Sequence, residues 1–181
     1  MVSKTTKPGR TTPARRGSQA KGATSIRDLR DFIALLAQTG NLHRISAKMD
    51  KNTELMPLVR WQYQGLPDEQ RKAFLFDNVT DGTGKKYDCR VVVGALSASR
   101  AIYKLALGVK EADGPSAVAE MWNHALSHPI APRRVARGPV KDVIIKGNEL
   151  SRPGGGLLRF PVPISNPGFD GGPFLTAPYV V

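Results

Sequence analysis

The chain has 181 residues, with 27 Lys or Arg against 15 Asp or Glu, a net charge of +12 at pH 7 and one cysteine. This length predicts about one domain with an extension. The single Cys89 excludes an internal disulfide and any zinc site built on several cysteines. No apolar run approaches the ~18 residues needed to cross a bilayer and no apolar signal core begins the chain, which predicts a cytoplasmic protein.

The positive charge is concentrated at the N-terminus. The first 27 residues contain seven Lys or Arg and no Asp or Glu. Residues 1–25 are rich in Thr, Pro and Gly and have almost no large apolar side chain, so a disordered basic tail is predicted. A solvated extension, a weak phosphate-binding arm and an organellar address all remain open for it.

From residue 26 the pattern becomes helical. Apolar side chains recur at helical spacing over residues 26–38, and Gly40 provides a stop. Ser25 and Asp28 resemble a capping box at the start of this helix. A short strand over Leu42–Ile45 is expected to follow.

The next segments alternate between helix and strand. A helix is predicted over 53–64, with Thr53 as its N-cap. A buried strand is predicted over 73–76, a short apolar run between turn residues. A second strand is predicted over 89–93 from its β-branched content. Alternation of this kind predicts an α/β domain with layered helices and strands.

Two further helices complete this region, and the domain is expected to span residues 26–137. One is predicted over 97–107, capped by Ser97 and ended by Gly108. The other begins after Gly114 and ends before Pro129.

A second structural region, without helical periodicity, is predicted for residues 138–181. Val140–Ile145 has the composition of a strand, and residues 151–181 are rich in Pro and Gly. Phe174–Val181 resembles a strand that enters a sheet, and domains seldom end on an unpaired apolar strand. A truncated chain is therefore expected.

The common catalytic and ligand-binding motifs are not evident. Residues 152–156 are glycine-rich but have neither the spacing nor the following helix of a phosphate loop, so a flexible loop is predicted. His124 and His128 are four residues apart on one helix, which favours surface or partly packed histidines over a metal pair. Ser97 has no identifiable His and acid partners and is interpreted as a helix cap.

Other chemically capable residues receive structural interpretations. Trp61, Trp122 and Tyr103 lie at helical spacing and are predicted to be core. No carboxylate pair for acid/base chemistry stands out, because the candidate acids all lie in turn-like contexts where they bond local backbone: Asp77, Asp81, Asp88 and Asp170.

The order of several segments is similar to that of a known family. Asp28-Leu29-Arg30-Asp31-Phe32-Ile33 followed by Gly40-Asn41-Leu42-His43-Arg44-Ile45 resembles the opening of the UbiD-family decarboxylases. Further blocks resemble later segments of the same family: Ala73-Phe74-Leu75-Phe76-Asp77-Asn78, Val140 to Asn148, and Asp170-Gly171-Gly172-Pro173-Phe174-Leu175-Thr176. The similarity covers about residues 26–181.

The resemblance implies a fold and a cofactor. It implies an N-terminal three-layer-like α/β domain over 26–137, followed by the first strands of an incomplete split β-barrel, flavin-reductase-like, over 138–181. Family members hold prenylated FMN with a divalent metal, normally manganese. They catalyse reversible non-oxidative decarboxylation of aromatic or α,β-unsaturated acids, and their C-terminal domain serves oligomerisation.

The resemblance assigns no catalytic, cofactor-binding or metal residue in this chain, because the family's functional residues lie beyond the position of Val181. The chain alone is therefore expected to be inactive and not to bind the flavin or Mn(II) itself. A homo-oligomer or a complementary catalytic subunit is the expected partner. Asp170-Gly171-Gly172-Pro173 is interpreted as a tight turn, with glycine at positive φ and Pro173 starting a strand. The alternative function is a silent binding module whose basic tail engages nucleic acid or an acidic partner.

Overall fold

The structure, a computed structural model, describes residues 26–175. The predicted tail over 1–25 and the predicted strand residues 176–181 lie outside this range. The main elements in chain order are α1 Leu29–Gln38, β1 Leu42–Asp50, α2 Leu55–Gly65, β2 Ala73–Thr80, β3 Val91–Val93, α3 Arg100–Leu107 and α4 Ala117–Ser127.

The three strands form one sheet in the order β1-β2-β3. β1 and β2 are parallel and α2 is the crossover between them, whereas β3 runs antiparallel to β2. The register of β1 shifts between Ile45 and Lys48. This irregularity lets β1 resume its pairing and extend to Asp50, beyond the predicted end at Ile45.

Helices cover both faces of the sheet. Phe32 of α1 and Ile102 of α3 pack with Ala73 in one buried cluster. Leu55 and Val59 of α2 pack in a second cluster with the phenylalanines at positions 74 and 76. Neighbouring side chains of a strand point to opposite faces, so the run Ala73–Phe76 is apolar because both faces of β2 are buried. The predicted α/β class with helices layered on a sheet is confirmed.

Local capping differs from the sequence-based expectations. Asp28 caps α1 by accepting hydrogen bonds from the backbone of the first turn. Near α2, Asp50 Oδ1 accepts from Thr53 N at 3.0 Å and Glu54 Oε2 accepts from Asp50 N at 2.7 Å. These bonds close the turn that precedes α2, and the N-cap position is occupied by Glu54, so the expected role of Thr53 is wrong.

The cap of α3 is also displaced from its predicted position. Ser99 is the N-cap residue, and its Oγ accepts from Ile102 N at 3.3 Å. Ser97 lies outside the helix and is exposed. Gly108 ends α3 at φ +69°, a left-handed conformation that glycine adopts without steric cost, as the sequence predicts.

The prediction that three aromatic side chains are core residues is wrong. Trp61 is 73% exposed, Trp122 48% and Tyr103 38%. On α2 the inner position is taken by Gln62, which exchanges two hydrogen bonds with the backbone of Lys72. Trp122 Nε1 donates to Tyr103 Oη at 3.1 Å, which joins α4 to α3 at the surface.

The predicted strand over Val140–Ile145 is wrong. Pro139–Lys141 is a 3₁₀ turn, and no strand occurs among the described residues beyond β3. Val140 is 88% and Val143 72% exposed, so these β-branched residues have no sheet to join. Two further 3₁₀ turns, Gly147–Ser151 and Leu157–Arg159, are the regular elements of this segment as far as residue 175.

Candidate functional site

An ion-pair row crosses the sheet at the middle of β2. Asp77 lies between Arg44 of β1 and Arg90, which directly precedes β3. Arg44 donates through Nε to Asp77 Oδ2 at 2.5 Å and through Nη2 to Oδ1 at 3.3 Å. Arg90 Nη1 lies 3.9 Å from the same Oδ1. One carboxylate of β2 therefore links β1 to the residue that leads into β3.

The row holds Asp77 in its ionised form. The hydrogen bond from Arg44 lowers the pKa of the Asp77 carboxyl from its ordinary value, against the smaller opposing effect of burial. The Asp77 side chain is 18% exposed, whereas the Arg44 and Arg90 side chains are 63% and 56% exposed. At neutral pH Asp77 therefore serves as a hydrogen-bond acceptor and not as a proton donor.

A cavity of about 560 Å³ lies beside β3, between the sheet and the C-terminal part of the described chain. We call it the junction cavity. Its walls are mainly apolar, and Arg90 is the cation among them. The lining is Met56, residues 89–94, residues 160–163, Ser165, Phe174 and Leu175.

Two cations of the α/β unit hold the segment that closes the junction cavity. Arg60 of α2 donates through Nη2 to the carbonyl oxygen of Ser165 at 2.5 Å. Lys85 Nζ donates to the carbonyl oxygen of Leu158 at 3.0 Å. Charged donors make stronger hydrogen bonds than neutral ones, so these two contacts fix residues 157–165 against the domain.

A smaller cavity of about 260 Å³ shares part of this wall. We call it the Lys51 cavity. Its lining joins Lys51 and Tyr87 of the α/β unit to apolar residues of the C-terminal segment: Leu157, Leu158, Phe160, Val162, Pro173, Phe174 and Leu175. Both cavities therefore depend on the same docked segment.

A charged turn stands beside the Lys51 cavity. Asp81 accepts hydrogen bonds from Thr83 Oγ1 at 2.6 Å and from Tyr87 Oη at 3.0 Å. These hydrogen bonds, of which the one from Thr83 has the largest effect, lower the pKa of Asp81 to about 2. Burial has the largest effect on the Tyr87 hydroxyl and raises its pKa, and the hydrogen bond to Asp81 raises it further. Lys85 Nζ lies 4.5 Å from the centre of the Tyr87 ring, in a cation–π arrangement.

The sequence candidates for metal and phosphate binding have structural roles. The His124 and His128 rings stack at 4.2 Å, and both residues are exposed. A Cβ built on Gly155 would lie 2.2 Å from the carbonyl oxygen of Glu149. The glycine-rich loop is therefore packed against its own preceding 3₁₀ turn, and its glycines serve close backbone contact.

The Asp170 turn agrees in part with its prediction. Asp170 Oδ2 accepts from Asn166 N at 2.7 Å, so the acid bonds nearby backbone as expected. The glycine at positive φ is Gly168, at +82°, and neither Gly171 nor Gly172 has this conformation. Pro173 begins no strand within the described residues.

Sequence reasoning does not find the residues that surround the cavities. Lys51 and Arg60 are unremarkable in sequence, since one follows a strand and the other lies on a helix with mixed polarity. Only the docking of residues 157–175, more than 90 positions downstream, places Lys51 in a cavity wall and gives Arg60 its carbonyl partner. No periodicity or motif encodes a contact of that separation.

The comparisons with known proteins agree with one another. Residues 33–122 match the model of the 3-octaprenyl-4-hydroxybenzoate carboxy-lyase N-terminal domain. The pyrrole-2-carboxylic acid decarboxylase of Pseudomonas aeruginosa is 33% identical over 149 residues, which cover 77% of this chain and 27% of that protein.

Two solved structures share the fold. The UbiD-class enzyme HmfF from Pelotomaculum thermopropionicum, in complex with FMN, has a TM-score of 0.58 and 27% identity over 80% of this chain and 28% of that one. The vanillic acid decarboxylase of Sedimentibacter hydroxybenzoicus, in its open form, has a TM-score of 0.61 and 22% identity over 79% of this chain and 28% of that one.

The fold and the matched region define an N-terminal α/β domain of the UbiD type. The chain belongs to the UbiD family, as its resemblance predicts. It spans less than a third of the length of these relatives.

Asp77, Asp81 and the glycine-rich loop all have partners within the described part of the chain. No group of three or more His, Cys, Asp or Glu residues able to hold a metal ion occurs within residues 26–175. The glycine-rich loop is filled by its own backbone, and Asp77 and Asp81 are engaged by Arg44 and by Thr83 and Tyr87. Within the same range no helix is long and apolar enough to cross a membrane.

Proposed function

We propose that this chain provides the N-terminal domain of a cytoplasmic UbiD-type carboxy-lyase. The enzyme decarboxylates an aromatic or α,β-unsaturated acid with prenylated FMN and Mn(II). Residues 26–137 form the α/β domain, and residues 138–181 begin the split-barrel domain. The observation that carries the proposal is the 33% identity to a pyrrole-2-carboxylic acid decarboxylase over 149 residues.

The domain acts as a scaffold in this proposal. Arg60 and Lys85 hold the carbonyl groups of Ser165 and Leu158, so the α/β unit fixes where the following segment begins. A catalytic domain attached to that segment is then positioned by two charged hydrogen bonds. The flavin and metal ligands come from polypeptide outside residues 26–175, as a following domain or a second subunit.

The proposal makes the chain inactive by itself. The test is carbon dioxide release by the purified chain with prenylated FMN, Mn(II) and a panel of pyrrole-2-carboxylic, cinnamic and hydroxybenzoic acids. No release above buffer is expected from the chain alone. Release should appear when a polypeptide with the remaining UbiD domains is added. Turnover by the chain alone would overturn the assignment of the ligands to other polypeptide.

The alternative is a binding module that uses its basic tail. Seven Lys or Arg without an acid in the first 27 residues motivate it. Binding to duplex DNA that weakens steeply with salt and is lost on deletion of residues 1–25 would support it. Equal weak binding with and without those residues would remove it.

A further inference from the structure

Lys51 is a buried cation with few partners. The residue is 8% exposed. Its Nζ donates to Asn52 Oδ1 at 2.6 Å, while a lysine ammonium carries three donors. The salt bridges among the described residues all use arginine, so no carboxylate in residues 26–175 lies within 4.0 Å of Lys51 Nζ.

The acids nearest in sequence and in the fold are already engaged. Asp50 Oδ1 accepts from the backbone N–H groups of Asn52 and Thr53 at 2.7 and 3.0 Å. Asp81 is bonded by Thr83 and Tyr87. A buried ammonium is costly unless an anion pairs with it, and Lys51, without a direct carboxylate partner, is the group with which an added carboxylate would pair.

The apolar walls of the Lys51 cavity also favour a ligand with an apolar part. Its volume of about 260 Å³ suits a molecule of one ring. Leu157, Phe160 and Phe174 of its wall are 65%, 45% and 58% exposed, so a ligand would cover apolar surface that now faces solvent. Lys85, beside the Tyr87 ring, adds a second positive charge nearby.

We propose that the Lys51 cavity binds a small monocarboxylate with a single aromatic or aliphatic ring, its carboxylate paired with the Lys51 ammonium and its ring against Phe160 and Phe174. The site lies in the N-terminal domain and its first docked segment, and it goes beyond the proposed function. It needs neither flavin nor metal, so it stands or falls separately from the decarboxylase assignment.

The test is titration of the full 181-residue chain with benzoate. Binding is measured by isothermal titration calorimetry and by changes in the backbone amide NMR signals of Lys51 and Tyr87. Benzamide, which has the same shape without the charge, is the ligand control. Lys51→Met removes the charge and keeps an apolar chain of similar length. Lys48→Met, on the exposed part of β1, is the matched protein control.

We expect saturable benzoate binding that shifts the two amide signals. Lys51→Met should weaken it at least tenfold, Lys48→Met should leave it within twofold, and benzamide should bind at least tenfold more weakly than benzoate. Removing a buried charge should not lower the melting temperature, which keeps Lys51→Met usable as a folded variant. Absence of benzoate binding at millimolar concentration, or equal binding by Lys51→Met and the wild type, would overturn the proposal.

Discussion

Arg44 and Asp77 are joined by two hydrogen bonds across the parallel strands β1 and β2, from Nε to Oδ2 at 2.5 Å and from Nη2 to Oδ1 at 3.3 Å. They lie 33 positions apart in sequence, with the α2 crossover between them. Two parallel N–H···O bonds fix orientation as well as distance. The pair therefore helps to set the register of the two strands at the point where β1 shifts, between Ile45 and Lys48.

The ion pair predicts an acid-dependent loss of stability. The folded-state pKa of Asp77 lies below its unfolded value, which is about 3.9, so its contribution is present above that pH and is lost as the pH falls through the folded-state pKa. Thermal unfolding of wild type and Asp77→Asn from pH 7 to pH 3 measures this. The melting temperature of the variant should be lower at pH 7 and should change less below pH 4.

Asp142→Asn is the control for this series, because Asp142 is exposed and forms no ion pair among the described residues. The melting temperature of this variant should change with pH in the same way as that of the wild type. Parallel profiles for Asp77→Asn and the wild type would show that the pair contributes nothing to the fold.

The cap of α3 predicts a difference between two nearby serines. Ser99→Ala removes the side-chain acceptor of Ile102 N and should lower the free energy of unfolding by about 1 kcal/mol. Ser97→Ala should change it little, because Ser97 is exposed and precedes the helix. Urea titrations of both variants decide the assignment, and a larger loss from Ser97→Ala would contradict it.

The buried cluster that contains Phe32, Ala73 and Ile102 predicts a large loss of stability when the Ile102 side chain is shortened. Ile102 has no exposed surface, and Ile102→Ala should lower the free energy of unfolding by roughly 2–5 kcal/mol through lost burial and the cavity left behind. Ile130→Ala, at a position that is 94% exposed, is the matched control and should have little effect. Similar losses in the two variants would mean that α3 does not pack on the sheet.

Loss of the contact between Arg60 and Ser165 is expected to loosen the docked segment, residues 157–175, without unfolding the domain. Arg60→Met removes the charged donor and keeps part of the apolar chain, so the amides of residues 157–175 should exchange with deuterium faster. The amides of β2 should be unaffected. Arg133→Met, at an exposed position, is the control. Unchanged exchange over 157–175 would show that Arg60 does not hold the segment.

Much of the α/β unit is predictable from local sequence. The helix over 29–38 and its glycine stop, the buried run at 73–76 and the end of α3 at Gly108 all follow from periodicity and from the conformational freedom of glycine. These signals are local, because each depends on residues within one or two turns of the same segment.

The differences arise where the outcome depends on distant partners. Val140–Ile145 has strand composition, but a strand needs a neighbour for its backbone groups, and none of the described elements provides one. Trp61 and Gln62 are consecutive residues of α2, and Gln62 is the buried one because the backbone of Lys72 forms hydrogen bonds with its side-chain amide. Lys51 and Arg90 become part of cavity walls, and Arg60 gains its partner Ser165, only through the docking of the C-terminal segment.

The most direct test of the central claim replaces one domain by another. In the pyrrole-2-carboxylic acid decarboxylase of Pseudomonas aeruginosa, the segment that corresponds to residues 33–122 of this chain would be replaced by those residues, and carbon dioxide release from pyrrole-2-carboxylate would be measured. Circular dichroism would verify folding, and flavin absorbance would verify loading. We predict that the folded, loaded chimera releases carbon dioxide. A folded and loaded chimera that releases none, beside an active parent enzyme, would contradict the claim that these residues serve as a UbiD N-terminal domain.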